Sequence, residues 1–292
     1  MKKETIRTLL IGIWTLFMSM TISAQDFEYG GVCYTIIDEN SVSVSNGSGY
    51  FDDIVIPSSI IHNGHTYSVT QIGNAAFDRN RRLKSLVIPN SVKTIGYRAF
   101  NGCWNLVSIV FPDNLESMSG CAIGGTAWYN NQPNGLIYIG KMVYKYKGTM
   151  AANTNISIKD GTRVMSDSVF YNCSNLISVT IPNSVTSIGR AAFFRCSNLT
   201  SITIPYGVTS IGSCAFNDCS RLTYVDIPNS VKTIGNNAFQ GTAWYDYQPH
   251  GLVYVGNVAY KYKGEMPAQS RITLKSGTLG ISDNAFSGCS GY

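Results

Sequence analysis

A period of 23 residues runs through most of the chain and limits what it can fold into. Thr180-Ile181-Pro182 and Thr203-Ile204-Pro205 place their prolines 23 residues apart, and a phenylalanine follows each apolar anchor by 12 positions. A single unit cannot bury its own apolar side chains, whereas a stack of units buries them in one continuous core. Eight units fit the pattern, the first of them stretched, with anchors at Ile56, Ile88, Phe111, Ile158, Ile181, Ile204, Ile227 and Leu274. The sequence therefore predicts a solenoid.

Each unit begins with alternating apolar and polar residues, which predicts a short strand with one buried face. Proline ends this strand because it has no N–H group to donate to a neighbouring strand. A second short extended piece closes at a glycine, and Ala-Phe-x-x-Cys predicts a tight return through a short 3₁₀ turn. We therefore expect a mainly β solenoid with short 3₁₀ turns and no conventional helix.

One unit shows the full motif in the residues Leu199, Ile202, Ile204, Pro205, Ile211, Gly212, Ala215, Phe216 and Cys219. This motif resembles the BspA-like leucine-rich repeat of bacterial surface and secreted proteins, and the resemblance covers nearly all of residues 50–292. It implies a curved, right-handed leucine-rich repeat solenoid with a role in adhesion or protein–protein contact. It implies no particular ligand, because one fold serves many binding functions.

A second, longer period is also present. Residues 125–150 and 241–266 are identical at 17 of 26 positions, with an offset of 116. Each of these segments adds 24 residues to its unit. Within them, apolar runs flank Gly140-Lys141 and Gly256-Asn257, and glycine in such a pair is typical of a two-residue type II′ turn. We expect two inserted β-hairpins, four coils apart.

The two ends of the chain depart from the repeat. Basic residues followed by the apolar stretch 9–20 predict that residues 1–24 are a signal peptide, cleaved between Ala24 and Gln25. Residues 25–67 keep a strand-like composition and are predicted to form an N-terminal β cap, followed by the solenoid over residues 68–292. The last unit has no cap, so we expect either that a partner copy covers this coil in self-association or that the chain is a truncated form of a longer protein.

Composition and missing motifs exclude several functions. Only 13% of the residues are charged, and removal of residues 1–24 lowers the net charge from +5 to +3, which is too weak to predict a nucleic-acid partner. No segment after residue 24 is long and apolar enough to cross a membrane. The chain lacks Cys-x-x-Cys, P-loop and nucleophile-elbow motifs, so we predict no enzyme, no metal and no cofactor. We expect an exported protein, secreted or at the outer surface, with the periplasm left open as a destination.

Small residues recur three positions after the phenylalanine. Five of the eight cysteines fall there, and Asn or Thr occupies the position in the other units. This alternation predicts a buried structural ladder, and stacked positions with parallel Cβ directions disfavour disulfides. The ladder comprises Asn80, Cys103, Thr126, Cys173, Cys196, Cys219, Thr242 and Cys289.

Two sets of residues are candidates for binding. The first lies on the outward side of the proline-ending strands and comprises Ser85, Ser178, Thr180, Ser201, Thr203 and Tyr224. The alternative for this set is that hydroxyl side chains simply pair across neighbouring strands. The second set is the aromatic residues of the two hairpins, namely Trp128, Tyr129, Tyr144, Tyr146, Trp244, Tyr245, Tyr260 and Tyr262. These either pack the hairpins onto the solenoid or present a surface to a partner.

The leading hypothesis is a non-enzymatic, exported protein that mediates adhesion or another contact with an extracellular protein. The first alternative is a carbohydrate-binding module that holds a glycan on the aromatic hairpins. The second alternative is a structural spacer within a longer surface protein.

Overall fold

The computed structural model describes residues 26–47 and 52–289. The predicted signal peptide and its cleavage site, Ala24 and Gln25, lie outside the described residues. The N-terminal strands are β1 (Asp26–Tyr29), β2 (Val32–Ile36), β3 (Ser41–Val44), β4 (Asp53–Val55), β5 (Ser59–His62) and β6 (His65–Ile72). β1, β2 and β3 pair antiparallel, and β3 then pairs in parallel with β6.

The cap and the solenoid interlock. β4 lies within the predicted cap range and already pairs in parallel with the first strand of the next repeat. β6 pairs antiparallel with β5 in its first half, and Gln71 and Ile72 at its end begin the parallel ladder of the solenoid. The predicted boundary after residue 67 therefore falls inside a strand that belongs to both parts.

Two faces carry the strands of the solenoid. The proline face is formed by β4 and by β7 (Ser85–Val87), β9 (Ser108–Val110), β13 (Thr154–Ser157), β15 (Leu176–Thr180), β17 (Ser201–Thr203) and β19 (Tyr224–Asp226). The glycine face is formed by the second extended piece of each repeat, which is followed by the glycine or serine that recurs at one position of the repeat. After β6 it contains β8 (Thr94–Ile95), β10 (Ser117–Met118), β14 (Val164–Met165), β16 (Ser187–Ile188), β18 (Ser210–Ile211), β20 (Thr233–Ile234) and β23 (Gly280–Ile281).

Neighbouring turns lie close together along the glycine face. A Cβ atom at Gly212 would lie 2.5 Å from the backbone nitrogen of Arg190, and one at Gly235 would lie 2.3 Å from that of Ser213. From β14 to β20 the parallel ladder on this face is unbroken, while over the same interval β15 and β17 on the proline face belong to separate sheets. The parallel ladder is therefore more continuous on the glycine face than on the proline face.

Stacked phenylalanines fill the core between the two faces. The rings of Phe170, Phe193, Phe216 and Phe239 are fully buried, with successive centroids 5.0–5.2 Å apart. The turn that carries each ring closes through single hydrogen bonds to the third residue back, such as Cys196 N–H to Phe193 O at 3.0 Å. These bonds confirm the predicted tight return with 3₁₀-type hydrogen bonding. Left-handed residues before and after the phenylalanine interrupt the helical run, so no 3₁₀ helix forms in the described part of the chain.

Both inserted segments form the predicted hairpins. The first contains helix α1 (Ala127–Asn130), β11 (Gly135–Ile139) and β12 (Met142–Lys147), and the second contains α2 (Ala243–Asp246), β21 (Gly251–Val255) and β22 (Val258–Lys263). Gly140 and Gly256 have φ of +54° and +58°, and the residue after each is not left-handed, as a type II′ turn requires. Two-residue hairpin turns are confirmed at both places.

The hairpins also complete the stack, which the sequence did not predict. Met142 and Val143 of β12 pair in parallel with Val164 and Met165 of β14, and β22 pairs with β23 in the same way. The second strand of each hairpin thus takes the place of a strand on the glycine face. Because of this substitution, the eight anchored units give about ten turns.

Candidate functional site: the groove on the glycine face

A groove of about 670 Å³ lies on the glycine face between the two hairpins. Its floor is the ladder from β14 to β20, and β10 and β23 form its ends. The outward residues of the floor are small, among them Ser187, Ser210 and Thr233. A second cavity of about 380 Å³ continues the groove toward the N-terminus and shares Ser117 and Asp167 with it. The surface is therefore long and shallow, with hydroxyl groups beside apolar residues such as Val164 and Ile211.

The ends of the groove exist because of the hairpins. A Cβ atom at Gly120 would lie 2.4 Å from the carbonyl oxygen of Asp167, and one at Gly280 would lie 2.8 Å from that of Lys232. The turns on either side of each hairpin therefore come into contact beside the end of the hairpin strand, and that strand is buried between them, with Met142 almost fully buried. Each junction forms one end of the groove.

Acidic groups outnumber basic ones along the groove. Glu116 and Asp167 lie at one end, and Lys232 and Asp283 lie at the other. Asp167 Oδ1 accepts a hydrogen bond from the backbone N–H of Arg190 at 2.8 Å. Burial raises the pKa of Asp167 above its ordinary value, and that hydrogen bond opposes the rise. The groove thus offers hydroxyl groups and a weak negative field.

The proline face, where binding was predicted, has a different character. Thr180, Ser201, Thr203 and Tyr224 are exposed there, whereas Ser85 and Ser178 are half-buried. The two half-buried serines donate hydrogen bonds to the neighbouring strand, at Asp53 and Asn155 respectively.

Those contacts fit the alternative of cross-strand pairing for Ser85 and Ser178. Nearer the N-terminus the outward positions of this face form a row of exposed valines, Val55, Val87 and Val110, paired in register. No cavity comparable to the groove is found on this face among the described residues.

The aromatic residues of the hairpins are mostly packing residues. Tyr144, Tyr245 and Tyr260 are buried, with at most 5% of their surface exposed, so they are withdrawn from the candidate binding set. Five others are half-buried, namely Trp128, Tyr129, Tyr146, Trp244 and Tyr262. Trp128 meets Phe111 edge-on with ring centroids 5.2 Å apart, and Trp244 lies 5.3 Å from Phe239. A hairpin needs such contacts because two strands alone are marginally stable.

At each hairpin a buried tyrosine hydroxyl forms hydrogen bonds with backbone groups that would otherwise bond to the next turn. In a complete turn the N–H of Phe193 donates to Ala215 O of the next turn at 2.7 Å. Where the second hairpin replaces that turn, the N–H of Phe239 donates to the Tyr260 hydroxyl at 2.9 Å. At the first hairpin the Tyr144 hydroxyl donates to Gly120 O at 3.0 Å, and a backbone hydrogen bond from Ile123 lowers its pKa against the effect of burial. Burial raises the pKa of both hydroxyl groups.

Threonine and lysine side chains complete each hairpin. Thr242 Oγ1 donates to Phe239 O at 2.7 Å and accepts from the N–H of Tyr245 at 3.1 Å, which caps helix α2. Lys263 Nζ donates to three backbone carbonyl oxygens after the helix start, with two of these bonds at 2.6 Å. Thr126 and Lys147 make equivalent contacts at the first hairpin. These lysines are therefore used within the fold.

The small-residue ladder lies where the repeat predicts. The thiols of Cys103, Cys196 and Cys219 are buried, and each donates to the phenylalanine carbonyl of the preceding turn at 2.9–3.1 Å. Burial raises the pKa of Cys103 to about 12 and that of Cys173 to about 11. Of the remaining ladder residues, Asn80, Thr126 and Thr242 are buried, and Cys173 and Cys289 are half-buried.

Sequence reasoning missed the groove. Its signal is the small residue that follows each two-residue strand, Gly or Ser at Gly189, Gly212 and Gly235 and at Ser166. Small residues at one fixed position in every repeat let the backbones of neighbouring turns approach closely there, and they leave no large side chain to fill the groove.

Two further properties concern the described ranges only. Within residues 26–47 and 52–289, no three His, Cys, Asp or Glu side chains are grouped so as to hold a metal ion. In the same ranges, no helix has both the length and the apolar composition needed to span a bilayer.

The stacked turns, the two strand faces and the phenylalanine core define a leucine-rich repeat solenoid. A family model described as the BspA type leucine-rich repeat region matches six copies over residues 70–149 and 137–264. The chain therefore belongs to the BspA-type leucine-rich repeat family, as the motif predicted. Proteins of this family are typically at the cell surface or secreted.

Solved structures of bacterial leucine-rich repeat proteins are similar to this chain. One from Bacteroides ovatus is 25% identical, with 91% of this chain and 70% of that chain covered and a TM-score of 0.40. A leucine-rich cell surface protein from Faecalibacterium prausnitzii is 24% identical, with 91% and 53% covered and a TM-score of 0.33. This chain thus spans about half the length of the latter. Among curated proteins no match is found.

Proposed function

We propose that this chain is a non-enzymatic extracellular binding protein that holds an extended segment of a partner protein in the glycine-face groove. The observation that carries the proposal is the groove itself, an unbroken parallel ladder whose outward residues include Ser187, Ser210 and Thr233, with a hairpin junction at each end of its floor. Its floor from β14 to β20 spans roughly 14 Å at about 4.8 Å between neighbouring strands, the length of about four extended residues.

The charge of the groove limits the kind of partner segment that it can bind. Glu116, Asp167 and Asp283 face Lys232 around the groove, so its net charge is negative. Complementary charge speeds association and excludes like-charged partners. The partner segment in this proposal is extended, mainly polar and carries basic side chains. Adhesion at the bacterial surface, after export through residues 1–24, is the setting proposed for this contact.

Carbohydrate binding by the hairpin aromatics has less support. None of the eight candidate aromatic residues is fully exposed, and Lys147 and Lys263 beside them are bonded to backbone carbonyl groups. Tyr247 is the exposed aromatic residue of the second segment, at 78%, and Asn131 takes its place in the first, so the two segments share no open aromatic surface for a sugar ring.

The test blocks the groove and compares it with the opposite face. Ser210→Trp fills the groove floor, and Ser201→Trp, one strand earlier in the same repeat, adds the same ring to the proline face. Mature protein is passed over immobilised extracellular matrix proteins and mucin glycans. We expect retention on a matrix protein to fall at least about tenfold in Ser210→Trp, equal to about 1.4 kcal/mol, and to persist in Ser201→Trp. The proposal is contradicted if the unsubstituted protein is retained on no matrix protein, or if both variants lose the same amount of retention.

A further inference from the structure

A small cavity of about 330 Å³ lies among the turns that follow the phenylalanine positions, and we call this side of the solenoid the ridge. The cavity shares no lining residue with the groove. Arg79 and Arg81 reach it from one turn, Trp104 from the next, and Gly124 and Gly125 from a third. None of these residues takes part in the contacts proposed for the groove. The cavity is a separate candidate site.

The cavity is open because glycines replace larger residues there. Gly124 and Gly125 follow Ile123, which stands at the phenylalanine position of its turn. In another turn the same two positions hold Phe194 and Arg195. A Cβ atom at Gly125 would begin 3.7 Å from the indole nitrogen of Trp104, so a longer side chain would enter the space beside the ring. Three successive turns thus combine to leave one recess.

An aromatic ring and two unpaired cations line this recess. The Arg81 guanidinium lies 5.0 Å from the centroid of Trp104, and 62% of the Trp104 surface is exposed. In the described part of the chain, Arg79 and Arg81 form no ion pair, whereas nearby Arg98 is neutralised by Asp78 at 3.1 Å. The recess therefore combines an accessible flat apolar surface with positive charge.

We propose that this recess binds a sugar residue that carries a carboxylate. Guanidinium groups bind carboxylates through paired, charge-assisted hydrogen bonds, and an exposed indole offers an apolar face with a polar edge. The volume is at the lower limit of ligand pockets, about 300 Å³, which suits one sugar residue better than a peptide. Sialylated glycans and uronic-acid chains share this chemistry.

The experiment measures binding by isothermal titration with four probes. Sialyllactose and a hyaluronan tetrasaccharide are the two carboxylated sugars, lactose is the neutral control and tetraglutamate is the acidic peptide. We expect at least one carboxylated sugar to bind, with lactose and tetraglutamate at least about tenfold weaker. The carboxylated sugar that binds identifies which source supplies the ligand.

Three variants test the residues. Trp104→Ala and Arg81→Gln should each weaken binding about tenfold or more. Gly124→Gln fills the recess with the residue that Gln240 provides at the matching position of the second block, so it keeps the fold and should also abolish binding. Arg195→Gln is the matched control, because Arg195 lies over Phe194 at 5.1 Å on the same ridge without a recess.

Several results would overturn the proposal. They are binding of neither carboxylated sugar, equal binding of lactose or tetraglutamate, and full binding by Gly124→Gln. The groove variant Ser210→Trp should bind the sugar normally, so this result and the matrix-protein result can fail independently.

Discussion

The turn after the first hairpin and the turn after the second are related in sequence and differ in surroundings. Residues 158–173 and 274–289 are identical at seven of 16 positions. Ile158 is 3% exposed and Met165 is fully buried, whereas the matching Leu274 and Ile281 are 38% and 53% exposed. The earlier turn has β16 stacked on it, while the later one is the last turn described.

This difference separates what each segment determines by itself from what depends on the neighbouring turn. Both hairpins form with the same turn, the same threonine cap and the same tyrosine contact, so their structure is set within each segment. Burial of the turn that follows depends on the next turn, as expected when each repeat contacts only its neighbours. The predictions below test this division, beginning with the largest expected effect.

The largest effect is expected from removing matched phenylalanines. Phe170→Ala leaves a cavity in a fully buried stack and should lower the free energy of unfolding by about 3–5 kcal/mol. Phe286→Ala, 116 residues later, removes a half-buried ring and should cost about 1 kcal/mol. Urea unfolding followed by circular dichroism measures both. Equal losses would show that stability does not depend on the neighbouring turn.

Removing the tyrosine hydroxyls should have an intermediate effect. Tyr260→Phe leaves the buried N–H of Phe239 without its acceptor, at a cost of about 1–3 kcal/mol. Tyr144→Phe should cost a similar amount, because its hydroxyl bonds to Gly120 O at 3.0 Å and accepts from Ile123. Tyr262→Phe is the control, since its hydroxyl has no hydrogen bond within the described residues. Chemical unfolding of all three variants decides whether the two hairpins are energetically alike.

The helix caps should contribute less. Thr126→Ala and Thr242→Ala each remove one accepted and one donated hydrogen bond and should cost roughly 0.5–2 kcal/mol. Thr126→Ser and Thr242→Ser keep both bonds and should recover most of the loss. A thermal melt measures the difference, and failure of serine to restore stability would contradict the capping role.

Alkaline pH should lower stability through the buried thiols. The pKa of Cys103 is raised by burial from 9.0 to about 12, so its contribution is complete below pH 9 and is lost as pH rises toward 12. The unfolded chain binds fewer protons in that range, so moving from pH 8 to pH 10 should cost roughly 1 kcal/mol for this thiol. Urea midpoints across that range measure it. Cys103→Thr should reduce the slope, and Thr126→Ser should leave it unchanged.

The smallest effect on stability is expected at the last described turn. Ile281→Lys changes a side chain that is 53% exposed and should alter the free energy of unfolding by less than about 0.5 kcal/mol. Self-association through this turn stays a prediction of the sequence. Sedimentation equilibrium checks it, because a buried lysine at a contact between copies would weaken a dimer that the unsubstituted chain forms.

Much of the fold could be read from the repeat, because spacing alone specifies which side chains stack. Gly140-Lys141 likewise specified a hairpin turn locally. The parallel pairing of β12 with β14 could not be predicted, since no local pattern distinguishes a projecting hairpin from one that replaces a turn. The groove depends on small residues lining up over several turns, and the recess at Trp104 depends on three turns departing from the consensus together. Both are properties of the stack, which no single unit contains.

Each hairpin segment carries the side chains that complete its own hydrogen bonding to the solenoid. Residues 125–150 and 241–266 each carry the hydroxyl that satisfies the turn before them and the lysine that satisfies their own helix. A segment that brings its own hydrogen-bond partners can replace a turn wherever the preceding turn presents a free backbone N–H. Gene duplication in steps of 116 residues would then lengthen the molecule and add a second groove of the same length, without new chemistry at the joints.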